Sequence, residues 1–308
     1  MRAVAPPGLD DLARADPSVA PLVALYQVAL AASQDAAWAA GLPGLDPTQT
    51  VAAQEALAQG QPLLHGQTLT VDPARLDQLL GRLLDAVDRA GQPDGRRWRA
   101  ALTGAQPALN PLSLLEASLA LDLPRLESLA EEAGLDAPLL STLGQLAASP
   151  LLAAWRQATA PLLSEVPWHA GYCPHCGAWP SLAELRGLDR EHWLRCGRCA
   201  AGWKFSTQTC VFCGNTDYET LTYLAPEEAR EARRAVTCHE CLGYLKTVTT
   251  IGALSPADLM RHDLQTLELD AAALDRGYGR PAHPAFPLQV TVLAERTEKR
   301  RSWFGWPR

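Results

Sequence analysis

The chain has 308 residues, 47% of them apolar and 20% charged, which is enough for a packed core over two domains and excludes global disorder. A formal net charge of -7 and a pI near 5.5 give no overall attraction to nucleic acid or anionic lipid, so a general nucleic-acid binder is disfavoured. Met1 to Asp10 hold one Arg and no apolar run, unlike a secretory signal, and no uninterrupted apolar stretch reaches the ~18–20 residues that span a bilayer, so the expectation is a cytoplasmic protein without membrane insertion.

Residues 1–165 are written in Ala, Leu, Arg and Gln, punctuated by proline. Apolar spacing predicts helices over residues 19–40 and 48–59. The next stretch opens with Asp72-Pro73, a cap followed by proline in the first turn. Beyond it, Leu76, Leu79, Leu80, Leu83, Leu84 and Val87 share one helical face, and Asp77, Gln78, Arg82 and Asp85 share the other. Further helices are predicted over 111–121, 123–133 and 138–164. Breaks fall at Gly41-Leu42-Pro43-Gly44, at Gly91-Gln92-Pro93-Asp94-Gly95 and at Gly134. This half reads as an all-helical bundle whose Leu and Ala stripes are core.

The grammar changes near Val166-Pro167-Trp168. Short β-like runs follow at 193–195, 202–205, 218–223, 235–237 and 244–250, the last rich in β-branched residues. From residue 288 comes one more strand-like run, then the basic stretch from Arg296 to Arg301 and Trp303-Phe304-Gly305-Trp306. That tail reads as poorly ordered or partner-facing.

All eight cysteines lie between 173 and 241, and all fall in Cys-x-x-Cys pairs: Cys173/Cys176, Cys196/Cys199, Cys210/Cys213 and Cys238/Cys241. In a chain without an export signal that pattern points to metal binding or redox chemistry rather than to disulfides. Two residues between cysteines make a tight turn that aims both sulfurs at one centre, and two such turns close a tetrahedron around zinc or iron. Gly177 and Gly214 directly follow a second cysteine, where the backbone must turn back. Those glycines mark the first turn of each unit. The lengths of the gaps favour sequential pairing: Cys173, Cys176, Cys196 and Cys199 on one metal, Cys210, Cys213, Cys238 and Cys241 on the other. An interleaved arrangement stays open.

Four thiolates leave no vacant position, so water activation is disfavoured. A structural role remains, as does one-electron redox if the metal is iron, and the ligand list does not separate iron from zinc. His175 and His239 sit inside the turns, where placement behind the ligands or toward solvent is expected over ligation. His192, His262 and His283 carry no assigned role. Arg186, Arg190, Arg195, Arg198 and Lys204 interleave with Glu184, Asp189 and Glu191, which reads as a solvated mixed surface. Nucleotide-binding, metalloprotease and nucleophile-elbow signatures do not occur, so an enzyme is not expected and no catalytic residue is named.

Gly171-Tyr172-Cys173-Pro174-His175-Cys176-Gly177 and Leu194-Arg195-Cys196-Gly197-Arg198-Cys199 resemble the formate dehydrogenase accessory protein family FdhE. The similarity continues through Cys210-Val211-Phe212-Cys213-Gly214 and Cys238-His239-Glu240-Cys241-Leu242-Gly243-Tyr244-Leu245-Lys246. It extends to the helix Asp263-Leu264-Gln265-Thr266-Leu267-Glu268-Leu269-Asp270 and to Gly277-Tyr278. The chain departs from the family at His262-Asp263-Leu264, where two adjacent acidic residues are usual, and in its Trp-rich basic tail. The resemblance implies a cytoplasmic, non-catalytic assembly factor or chaperone for respiratory formate dehydrogenases. Its partner would be the catalytic subunit and its rubredoxin-like turns would hold iron.

The fold expected is α+β. A helical domain (1–165) precedes two tandem rubredoxin-like ribbons (166–207, and 208–287 with a C-terminal helix), followed by a tail (288–308). Two rival readings are a rubredoxin-type electron-transfer protein and a zinc-ribbon interaction module.

Overall fold

The computed structural model describes residues 8–44, 47–91, 95–103, 106–229 and 231–295. Its helices follow the cap-and-proline grammar of the sequence. In α4 (Pro73–Arg89) the Asp72 carboxylate accepts from the Ala74 N–H. In α6 (Pro111–Ala120), α7 (Leu123–Ala133) and α8 (Ala137–Thr159) Asn110, Asp122 and Asp136 do the same work, each with proline in the first turn. The apolar face predicted for α4 is buried. The remaining helices of this half are α1 (Leu9–Ala15), α2 (Ala20–Ala32), α3 (Pro47–Ala58) and α5 (Gly95–Leu102).

Two differences from the periodicity have local causes. The helix expected over 19–40 stops after Ala32, where the Ser33 hydroxyl bonds back to the Ala29 carbonyl. The Asp35 carboxylate then caps a separate 3-10 turn, Ala36–Ala39. The helical half also holds one strand, β1 (Gln67–Val71), in a run of β-branched residues.

α8 is the axis of the bundle and packs against α2, α4, α6 and α7. With the turn that follows it, it is long and apolar enough to cross a membrane by length and composition, but its apolar face, from Leu140 to Trp155, is buried in the core.

The cysteine-bearing half is built on one six-stranded sheet, ordered β4-β3-β2-β7-β6-β5. The first ribbon supplies β2 (Leu182–Arg186), β3 (Glu191–Arg195) and β4 (Gly202–Lys204); the second supplies β5 (Leu221–Leu224), β6 (Arg233–Cys238) and β7 (Tyr244–Thr250). Each ribbon is antiparallel within itself. They join where β2 runs parallel to β7, Ala183 opposite Thr247 through Arg186 opposite Thr250. The tail's first run is β8 (Val290–Ala294), paired in parallel with β1 from Gln67–Val290 to Val71–Ala294. That run is therefore ordered against the helical half, contrary to its reading as part of a loose or partner-facing tail. The basic and Trp-rich residues 296–308 lie outside the described residues.

The single helix expected around Asp263–Asp270 is two: α9 (Pro256–Gln265) and α10 (Leu267–Leu274). Thr266 breaks it, since its hydroxyl bonds the His262 and Asp263 carbonyls. Lys246 on β7, 1% exposed, ties both helices to the sheet. Its ammonium lies 2.6 Å from Asp270 Oδ2 and 2.7 Å from Asp263 Oδ1. Tyr244 donates to Asp270 from the same strand, and Arg280 closes the cluster over the Tyr244 ring.

Candidate metal centres

The structure brings the eight thiols into two groups of four: Cys173, Cys176, Cys196 and Cys199, and Cys210, Cys213, Cys238 and Cys241. One backbone turn is used four times. The N–H of the first cysteine bonds the carbonyl five residues on, in the pairs Cys173–Ala178, Cys196–Ala201, Cys210–Asn215 and Cys238–Gly243. The residue after the second cysteine is left-handed in all four: Gly177 (φ 69°), Ala200 (φ 59°), Gly214 (φ 75°) and Leu242 (φ 54°). Glycine takes that conformation without a Cβ penalty, so Ala200 and Leu242 hold it under strain.

Sulfur spacing tests the fit to a metal. A tetrahedron with metal–sulfur bonds of about 2.3 Å has edges of about 3.8 Å. Within the first group Cys173–Cys199 and Cys176–Cys196 lie 3.5 Å apart and Cys176–Cys199 3.8 Å; in the second, Cys210–Cys241 is 3.7 Å and Cys213–Cys238 3.8 Å. These are well beyond the ~2.05 Å of a disulfide. Four sulfurs so placed repel one another as thiolates, and a cation at their centre is what lets all four ionise. Each group could therefore hold one metal ion. Either zinc or iron suits the donor set.

The two centres differ in setting. The first is sealed, with all four cysteines between 0 and 1% exposed and built into the main core beside Trp155 and Leu64. Burial pushes the Cys173 and Cys199 thiols far up, while hydrogen bonds from its neighbours, Cys173 foremost, pull Cys196 down. The helical half grips both of its turns. Leu63 and Leu64 donate to the Pro174 and His175 carbonyls, and the Tyr172 hydroxyl donates to Gly60. Arg198 reaches the Ser118 carbonyl at 2.5 Å and Gln145 at 2.7 Å.

The second centre lies at the surface, with Cys213 and Cys241 exposed and Leu242 beside them 54% exposed. Burial raises Cys238, but backbone N–H groups of Cys241 and Glu240 with Asn215 outweigh it and bring the thiol to about 7; burial pushes Cys241 up to about 11.

Both histidines of the turns stand outside the two thiol groups. His175 is buried with Nδ1 2.7 Å from the Thr159 hydroxyl. That hydroxyl already donates to the Trp155 carbonyl, so the imidazole carries its proton on Nδ1. Burial, with Arg156 nearby, lowers its pKa to about 4 and keeps it neutral. His239 faces outward, 3.2 Å from Thr222 Oγ1 and from the Tyr278 hydroxyl.

The mixed charges of the first ribbon are not all solvated, as the sequence suggested. Glu184, 0% exposed, is a buried acceptor for Arg195 and Arg186, and Arg195 is 4% exposed. Arg195 immediately precedes Cys196 and also bonds the Ala200 and Leu254 carbonyls, so it locks the second turn of the first centre. Lys204 and Glu191 do pair at the surface. Asn215, 3.8 Å from Cys238 Sγ and 2.5 Å from the Thr220 hydroxyl, is a further supporting residue the spacing did not single out. The signal was its place one residue after Gly214.

Residues 208–286 match the family described as FdhE, C-terminal domain. Over 117 residues, 36% of the chain, the sequence is 32% identical to a protein FdhE homolog from Aquifex aeolicus strain VF5. Over 114 residues it is 36% identical to another from Stutzerimonas stutzeri strain A1501. The matched segments span 40% and 36% of those relatives' own lengths. A crystal structure of the FdhE protein from Pseudomonas aeruginosa has a similar fold, with a TM-score of 0.53 over 90% of this chain and 92% of that one at 24% identity.

Proposed function

We propose, from the match of residues 208–286 to the FdhE C-terminal domain family and the likeness to two FdhE homologs, that the protein is a non-catalytic, cytoplasmic accessory factor that binds and helps mature the catalytic subunit of a respiratory formate dehydrogenase. The observation that carries this reading is the family match over the ribbon that holds the surface centre. Exposed Leu242, Tyr218 and Tyr223 stand on the same ribbon and offer apolar contact to a client.

In this reading Cys173, Cys176, Cys196 and Cys199 hold one metal, and Cys210, Cys213, Cys238 and Cys241 hold the other. Bound metal contributes folding free energy to a ribbon with little core of its own and, if it is iron, a one-electron couple. The sealed centre fixes the ribbon to the helical half through Arg198, Tyr172 and His175. The surface centre shapes the face that meets the client.

Complementation tests the function. A strain lacking its own FdhE should recover membrane formate oxidation when given this chain, and should fail to recover it when given Cys238→Ser/Cys241→Ser. Full recovery with the doubly substituted chain overturns the role given to the surface centre.

Exposure of Cys213 and Cys241 favours one second reading, electron transfer through that centre. It requires iron that cycles reversibly, and a zinc-only protein removes it.

A further inference from the structure

We propose that the aromatic end of this chain, Trp303-Phe304-Gly305-Trp306, docks on its own body in the recess between α8, the Ala36–Ala39 turn and the start of α9. The recess measures about 630 Å³ and opens to solvent. Its wall is mostly apolar: Leu30, Ala36, Ala39, Ala153, Ala154 and Met260. Ala36 and Ala39 are exposed and the other four half-buried, so this surface has no cover among the described residues. The alanines are too small to fill the space, and the Met260 thioether is an adaptable partner for an aromatic ring. Three aromatics within four residues supply the complement, each burying ~150–250 Å² when covered.

What selects this occupant is where the chain leaves the described residues. Glu295 donates its N–H to the Val71 carbonyl, just ahead of α4. Two contacts tie that point to the recess. The Thr70 N–H bonds the Gly41 carbonyl, close after Ala39, and Arg75 in the first turn of α4 lies 2.6 Å from Asp35 on the recess wall. Residues 296–302 then supply a seven-residue connection, which spans up to ~23 Å when extended. The aromatic residues thus come within reach of the recess of their own chain. The connection is basic, with Arg296, Lys299, Arg300 and Arg301. Arg156 and Arg198 on the wall stand with Asp35 and with Cys199, whose four-thiolate group keeps a net negative charge around a divalent ion. Apolar contact and tether length carry the docking, and charge does not oppose it.

The test is photo-crosslinking of the full-length, metal-loaded protein carrying Trp306→p-benzoyl-phenylalanine, with the joined peptides mapped by mass spectrometry. Crosslinks are expected within one chain, to Met260 or to the recess-lining parts of α2 and α8. Their yield should not change on about tenfold dilution, as a contact within one chain requires. Ala153→Phe, which fills the recess, should remove them; if it lowers the melting temperature, Ala36→Trp on the exposed turn replaces it. Hydrogen exchange gives a second readout. Trp303→Ala/Trp306→Ala should speed exchange in the first turns of α9 and leave β2 and β3 as they were. The proposal is overturned by crosslinks that form only between chains, by crosslinks to the groove at Trp179 and Leu242 instead, by a yield that survives both filling variants, or by unchanged exchange in α9.

Discussion

Replacing Lys246 by Met removes the cation on which the second ribbon and its two helices converge. The ammonium is buried, between 2.6 and 2.8 Å from Asp270 Oδ2, Asp263 Oδ1 and the Asp263 carbonyl. Breaking a buried pair from one side costs about 3–5 kcal/mol, because the other charge stays behind without its partner. Here two carboxylates are left, but their side chains keep 31% and 20% exposure and Arg280 remains at 3.9 and 3.4 Å. The lower end of that range, about 3 kcal/mol, is therefore expected, or a fall in melting temperature of about 6 °C at about 2 °C per kcal/mol. The assay is thermal and urea unfolding of metal-loaded protein, followed by circular dichroism, for Lys246→Met, Asp270→Asn and the double variant. The two changes should be non-additive by about 1 kcal/mol or more, since they remove one interaction. A single Lys246→Met cost under about 1 kcal/mol, or simple additivity, refutes the view that this cluster holds the helices to the sheet. β7 begins three residues after Cys241, so the same variant should also speed metal loss from the surface centre.

Gly177→Ala should destabilise more than Gly214→Ala in the same unfolding assay. Both acquire left-handed strain of about 1–2 kcal/mol, but a Cβ at Gly177 also meets Pro62 at 3.1 Å and Phe286 at 3.3 Å, whereas Gly214 faces open space. A chelator challenge read by a colorimetric metal indicator should release metal in two phases. The fast phase should disappear in Cys238→Ser/Cys241→Ser; a single phase, or a fast phase that survives that change, contradicts the difference in burial. Burial lowers the pKa of His192, whose Nδ1 lies 3.1 Å from the Phe205 carbonyl. Its neutral ring contributes stability that is fully present above the unfolded value of about 6.5 and is lost as pH falls through the folded value. His192→Gln should therefore flatten the stability slope below pH 6.5, and a slope equal to that of the parent protein contradicts this.

The chemistry of the sites was written locally and could be read from the sequence. Four identical two-residue spacers gave the thiol turns, and the cap-then-proline pair Asp72-Pro73 gave the start of α4. What escaped was set by distant partners. β2 spells Leu-Ala-Glu-Leu-Arg, helix-forming residues that become a strand because β3 and β7 flank them. The pairing of β8 with β1 joins segments more than two hundred residues apart, and no local signal encodes it. Glu184 and Arg195 looked like solvent-facing charges because a buried ion pair and a surface one have the same composition; only the sheet shows that both point inward. Lys246, Asp263 and Asp270 stood in the family motif, but their shared role became visible once β7 and the two helices were placed together.

The central claim, that a formate dehydrogenase catalytic subunit is the client and meets the surface centre, is tested most directly by an anaerobic affinity pull-down. Tagged protein is drawn from cells making formate dehydrogenase and read by mass spectrometry, with metal content measured in parallel. The catalytic subunit should be recovered with the parent chain and lost with Cys238→Ser/Cys241→Ser, while the first centre keeps its metal. Recovery of a reductase alone, or of no dehydrogenase subunit with both centres loaded, contradicts it.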